Sequence, residues 1–181
     1  MKALILLADG FEQTEALTTM DIFCRSKQIE PVLASISPTT EVLSSMGLKV
    51  RTDYLLSSID SRLFDFLVLP GGKKGVENLR SNGTVLRTIA EFKKSGKPVY
   101  AICAAPCILE ELGYLDDAPF TAYPGFEQGK GVLKEEGVVV DGDNITARGM
   151  AFTMDFALAI VAKHLGKDVA DSILFSARGN I

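Results

Sequence analysis

The stretch VYAICAAPCILEELG, residues 99–113, decides the fold. Val99–Ile102 is a short, unbroken apolar run, the pattern of a strand buried on both faces. Pro106 suits the first turn of a helix that runs to Leu112, and Gly113 is placed to end it. Cys103 therefore falls at the joint between strand and helix.

The same alternation recurs along the chain. Residues 2–8 (KALILLA) form a buried-strand run. Residues 14–26 have helical spacing, with Leu17, Met20, Phe23 and Cys24 expected on one apolar face. PVLASIS (31–37) is a second strand, LKVRTD (48–53) a weaker third and FDFLVLPGG (64–72) a fourth, closed by a turn. In residues 83–96 the apolar Val85, Leu86, Ile89, Ala90 and Phe92 recur at helical steps, and Gly96 ends the helix. Residues 136–149 read as a hairpin around Asp141–Asn144. Helices are expected over 152–166 and 167–177, and residues 73–82 are assigned to no element.

Strands alternating with helices build a mainly parallel sheet with helices on both faces, so the fold class is α/β. Ligands of such sheets bind beyond the carboxyl ends of the strands. Three segments should gather there: DGFEQTE (9–15), PGGKKG (70–75) and CAAP (103–106).

Composition narrows the function classes. The 181 residues suit a single domain over 1–181, large enough to bury its own core. The net charge of −4 gives no broad attraction for nucleic acid. No apolar run approaches the ~18 residues of a membrane span. Met1–Ala8 is too short for a signal segment and is broken at once by Asp9 and Glu12, which points to a cytoplasmic protein. Three cysteines, at 24, 103 and 107, make no disulfide framework. With one histidine and no CxxC, a zinc site is not expected.

At the sheet edge, Cys103 meets the N–H groups and dipole of a helix start, which should lower its pKa below about 8.5. Ala104 and Ala105 leave the thiol uncrowded. Glu12 and Glu15, three residues apart, can share one face of the first helical turn. A carboxyl close to the thiol should have its pKa raised by burial and like charge, making it a protonated donor to sulfur. Alternatively, such acids serve only the helix N-terminus. Gly71 and Gly72 let backbone N–H groups approach an oxyanion. GGKKG lacks the ending of a phosphate loop, so Lys73 and Lys74 read as a solvated pair. His164 lies at an expected helix C-terminus, where it serves the dipole, so a Cys–His hydrolase lacks its base and protease activity is not expected. Cys24 and Cys107 read as packing residues, with a resolving role for Cys107 the alternative. Arg148 and Gly149 end the hairpin, as caps or as part of the site.

The segments EQTEALTTMDIF, FDFLVLPGG, NLRSN, AICAAP, TARG and DFALAIV, in this order, resemble the ThiJ/PfpI family along nearly the whole chain. The resemblance lies with the branch of the parkinsonism-associated deglycase and its bacterial relatives. It implies a flavodoxin-like sandwich and a homodimer. It assigns the elbow cysteine to Cys103, the buried glutamate to Glu15 rather than Glu12, and the backbone donors to Gly72 and Ala104. It places Arg25 across the dimer interface. Many relatives have a histidine where this chain has Tyr123, before Pro124, and some carry an arginine where it has Met46. The activity implied is cofactor-independent conversion of methylglyoxal or glyoxal to hydroxy acids, or removal of early glycation adducts, in carbonyl and oxidative stress. A redox-sensing or chaperone-like protein using oxidation of the same cysteine is the alternative. A nucleotide or flavin binder fits poorly, for want of a phosphate loop and a stacking tryptophan.

Overall fold

A computed structural model describes residues 1–180; Ile181, the last residue of the expected domain, lies outside the described residues. In its first half the chain forms β1 (Lys2–Leu7), α1 (Gln13–Ser26), β2 (Glu30–Ser35), β3 (Glu41–Leu43), β4 (Lys49–Arg51), β5 (Tyr54–Leu55) and β6 (Phe66–Leu69). There follow α2 (Lys73–Ser81), α3 (Gly83–Lys94), β7 (Val99–Ile102), α4 (Pro106–Glu111), β8 (Pro119–Phe120) and β9 (Val132–Leu133). The last elements are β10 (Val138–Asp141), β11 (Asn144–Ala147), α5 (Thr153–Leu165) and α6 (Lys167–Ala177).

The unbroken apolar strands follow from being covered twice. Successive side chains of a strand point to opposite faces. Leu4 and Leu6 of β1, Leu67 and Leu69 of β6, and Val99 and Ala101 of β7 pack with Val76, Leu79, Val85, Ile89 and Phe92 of α2 and α3. Ala3, Ile5, Leu7, Phe66, Val68, Tyr100 and Ile102 pack on the other face with Ala16, Ile22 and Phe23 of α1 and with α5 and α6. A central strand with one polar face would leave half of this packing without a partner.

The sheet runs β10-β11-β7-β6-β1-β2-β5, parallel except for β10. From β1 the chain moves outward to β2 and β5, then crosses back to β6 on the other side. That reversal opens a crevice at the carboxyl ends of β1, β6 and β7. This is the α/β, flavodoxin-like sandwich with a small hairpin that the sequence leads one to expect. The hairpin pairs Asp141 with Asn144 and continues the sheet through β11.

Several expectations are corrected. LKVRTD does not enter the central sheet: β4 pairs with β3 as a separate two-stranded ribbon, and the two-residue β5 takes the edge. Its alternating charges suit an exposed ribbon. The unassigned segment 73–82 is helical, its buried Val76 and Leu79 lying three apart on one face. Along α1 the buried stripe is Glu15, Ala16, Thr19, Ile22, Phe23 and Ser26, so of the expected face only Phe23 is buried. Cys24 is exposed, not a packing residue. His164 does not serve the dipole as a cation. Its ring stacks on Phe66 and hydrogen-bonds to Tyr100 Oη at 2.9 Å, and burial lowers its pKa, leaving it neutral.

Among the described residues no helix is long and apolar enough to cross a membrane. The site depends on how closely α2 approaches the turn after β1. A Cβ on Gly75 would lie 2.8 Å from both Cα and N of Phe11, atoms that cannot move aside without shifting that turn. Gly75→Ala is therefore expected to lower the stability by about 1–3 kcal/mol in urea unfolding, although its backbone suits alanine. Wild-type stability in this variant would show that the approach is looser than described.

Candidate active site

The three expected segments do converge. Glu15 enters from the first turn of α1 and is 1% exposed. Its helix begins where the Glu12 side chain caps it, accepting a hydrogen bond from Glu15 N–H at 2.7 Å. Glu12 is thus the helix cap and Glu15 the site carboxyl, which separates the two acids left open by their spacing. Glu15 Oε2 accepts from Gly71 N–H at 2.7 Å. Oε1 is buried and has no hydrogen-bond partner.

Glycine is required at the turn after β6. A Cβ on Gly71 would fall 2.6 Å from Glu15 Oε2, 2.6 Å from Cys103 Cβ and 3.1 Å from its Sγ. Carboxyl and thiol thus meet over the bare face of Gly71. Gly72 has φ 89°, and a Cβ there would lie 2.3 Å from Gly10 carbonyl oxygen.

Cys103 has φ 64°, the left-handed region that a non-glycine residue rarely occupies. Two hydrogen bonds hold it there. Its N–H donates to Ala147 carbonyl oxygen at 2.8 Å, and its carbonyl accepts from Tyr123 N–H at 2.8 Å. Such strain persists only where the surroundings impose it. A cysteine held this way at a sharp strand-to-helix turn has the geometry of a nucleophile elbow. The N–H groups of Gly72 and Ala104, the two donors assigned by resemblance, are near enough to the sulfur to pull its pKa down.

The electrostatics correct one expectation. Burial pushes the Cys103 thiol up to about 12, with the Glu15 charge and hydrogen bond adding to the rise. The Gly72 and Ala104 N–H groups pull the other way and do not prevail. The helix that follows has only six residues, so its dipole is a weak counterweight to desolvation. Glu15 shifts in the expected direction, burial raising it to about 7 against the pull of Gly71 N–H and the neighbouring thiol, but it is not the standing protonated donor that was expected. The resting pair above neutrality is thus a thiol facing a carboxylate, not a thiolate facing an acid. Moving one proton between them interconverts the two forms at constant net charge.

The other candidates lie apart. Lys73 and Lys74 are exposed on α2. Cys107 is buried packing, its thiol pushed up by burial to about 11. Arg25 is exposed and paired with Asp21 at 2.7 Å, and Met46 is 78% exposed. Arg148 donates to Glu135 carbonyl oxygen and lines, with Tyr123, Pro124, Met150 and Phe152, an apolar cleft of about 320 Å³ beside the elbow. A larger hollow, about 710 Å³, lies by Ser57–Arg62 at the opposite end of β6, away from the thiol. The left-handed backbone of Cys103 and the bond from Tyr123 were not foreseen. Only the small residues after Cys103 hinted at the former.

These features define a parallel α/β protein with a thiol on a nucleophile elbow and a buried carboxyl beside it. The chain belongs to the DJ-1/PfpI family, whose pattern matches residues 1–163. It is 35% identical over 171 residues to Protein DJ-1 homolog B of Arabidopsis thaliana, covering 91% of this chain but only 38% of that relative's length. It is 28% identical to the Caenorhabditis elegans protein named Glutathione-independent glyoxalase DJR-1.2, covering 95% of this chain and 93% of that one. The solved structure titled Toxoplasma gondii DJ-1, oxidized, superposes with a TM-score of 0.92 at 29% identity, covering 99% and 98% of the two chains.

The raised carboxyl has a stability consequence. An acid that holds its proton more tightly folded than unfolded stabilises below its unfolded pKa and loses that contribution as pH rises through its folded value. For Glu15 the loss falls between 4.5 and about 7. Glu15→Gln removes it and keeps an acceptor for Gly71 N–H. The variant is expected to unfold at a higher temperature than wild type at pH 8, with the gain vanishing near pH 4.5. A variant less stable than wild type at pH 8 would mean that the carboxylate is not held at a cost.

Proposed function

We propose that this protein is a cofactor-independent cysteine enzyme acting on small 2-oxoaldehydes, converting methylglyoxal or glyoxal to the hydroxy acid. Removal of early glycation adducts is the related activity at the same thiol. The observation that carries the reading is the buried Glu15 carboxyl, which meets the elbow thiol over the bare face of Gly71 and has its pKa raised to about 7. A base poised near neutrality is what this thiol requires.

In the mechanism, the Glu15 carboxylate takes the Cys103 proton as sulfur attacks the aldehyde carbon, giving a hemithioacetal. The N–H groups of Gly72 and Ala104 stabilise the oxyanion. Glu15 returns that proton to the oxyanion and, again a carboxylate, moves the proton of the former aldehyde carbon to the neighbouring carbon through an enediol. The result is a thioester of the hydroxy acid, which water hydrolyses to free the thiol. The net change is addition of one water to the oxoaldehyde, with no external oxidant or reductant. The name of the Caenorhabditis relative supports this class of reaction.

The protein acts as a homodimer in the cytoplasm, where a reducing milieu keeps Cys24, Cys103 and Cys107 as thiols. In this dimer the exposed Arg25 lies near the interface, with the partner's Arg25 offered across it. A second reading is redox sensing by the same thiol; the similar Toxoplasma structure is titled as oxidized. In that reading peroxide oxidises Cys103 stepwise to sulfinic acid, each peroxide giving one oxygen and leaving as water, and a protonated Glu15 hydrogen-bonds the product.

Cys103→Ala is expected to abolish methylglyoxal turnover, and Glu15→Gln to reduce it by about 10²–10⁴-fold. Full activity in Cys103→Ala would end the proposal. Two oxygens added selectively to Cys103 by mild peroxide, in a protein without aldehyde turnover, would favour the sensor.

A further inference from the structure

Glu110, on the last turn of α4, is 4% exposed, yet its carboxyl pairs with backbone alone. Oε2 accepts from Gln128 N–H at 3.0 Å and Oε1 from Gly129 N–H at 3.1 Å. Burying a carboxyl against two neutral donors is a costly way to fill space, and an aliphatic side chain would pack there as well. What it secures is the loop 121–131. The ends of that loop are closed by β8 and β9, through Val132 N–H to Ala118 and Lys134 N–H to Phe120. Among the described residues, the hydrogen bonds that hold its far half on the α4 side are those to Glu110 and, beyond the helix, Asp117 N–H to the Lys130 carbonyl at 3.2 Å. Gly129 must come so close that a Cβ would stand 2.9 Å from Glu110 Cβ.

The same loop begins with the residue that holds the elbow. Tyr123 N–H bonds the Cys103 carbonyl, and the Tyr123 carbonyl accepts from Phe126 N–H at 3.1 Å. The Tyr123 and Phe126 rings meet edge to face. A closed circuit results, from Cys103 along α4 to Glu110, across to Gln128 and Gly129, and back through Tyr123 to Cys103.

We propose that Glu110 is a positioning residue for the Cys103 elbow, clamping the 121–131 loop so that Tyr123 N–H keeps the cysteine in its left-handed conformation. Held there, Cys103 directs the Ala104 N–H at its own sulfur. With the clamp gone, the Cys103 backbone relaxes, that donor turns away, and the thiol ionises at higher pH. Only the turnover measurement below rests on the proposed aldehyde chemistry.

The test compares wild type, Glu110→Ala, Glu110→Gln and Gly129→Ala. In Glu110→Ala the Tyr123 amide is expected to exchange hydrogen about tenfold faster while the β1 amides are unchanged. The pH midpoint of Cys103 alkylation by iodoacetamide moves up, and kcat for methylglyoxal falls about tenfold with KM less affected. Glu110→Gln, which keeps one acceptor, restores part of each shift. Gly129→Ala, which forces the two sides of the clamp apart, reproduces the shifts should Glu110→Ala fail to fold. A wild-type Tyr123 exchange rate and alkylation profile would overturn the proposal, as would exchange that quickens only in step with β1. If wild type shows no turnover of methylglyoxal, the proposed reaction fails, while exchange and alkylation still decide the role of Glu110.

Discussion

Glu15 carries a carboxyl group into the interior at the point where α1, the turn after β6 and the turn after β7 meet. Burial there is unfavourable for a charge, and one Gly71 N–H offsets only part of the cost. Everything nearby is shaped to let that carboxyl touch the thiol. Gly71 and Gly72 have no room for side chains, Gly75 brings α2 against the β1 turn, and Cys103 takes a backbone conformation that most residues avoid. The sheet order places these three turns at one crevice.

The thiol and the carboxyl compete for one proton, and the proposed chemistry rests on that competition. A helix N-terminus lowers a thiol pKa when the sulfur is solvated enough for the dipole to matter. Here the sulfur is half-buried, the helix is short and a carboxyl faces it, so desolvation prevails. The thiol is therefore not a standing thiolate. In the proposed chemistry the thiolate forms only when the neighbouring carboxylate accepts the proton, as an electrophile enters the site.

Much of this was legible in the order of apolar runs. Unbroken strands such as KALILLA and VYAI have one physical explanation, two covered faces, and parallel topology follows from it. The position of Cys103 between strand and helix, and the pair of glycines after β6, located the site edge. Less legible were features set by long-range contacts. LKVRTD is strand-like in either sheet, and only its partner, Glu41–Leu43, places it in the outer ribbon. Cys24 and Leu17 satisfy helical spacing with Phe23, but the small residues Ala16 and Thr19 are the ones buried instead. Spacing alone could not separate Glu12 from Glu15, because the difference is which one caps the helix. The thiol pKa was read in the wrong direction because burial, unlike helix position, is invisible in a single stretch.

The most direct test is a titration of the Glu15 side-chain carboxyl by carbon NMR, with Glu15 assigned from the Glu15→Gln variant. A midpoint near 7, moving when Cys103 is replaced by alanine, is the result expected of a buried carboxyl coupled to the elbow thiol. A midpoint near the ordinary 4.5, indifferent to Cys103, would contradict the shared proton on which the proposed chemistry depends.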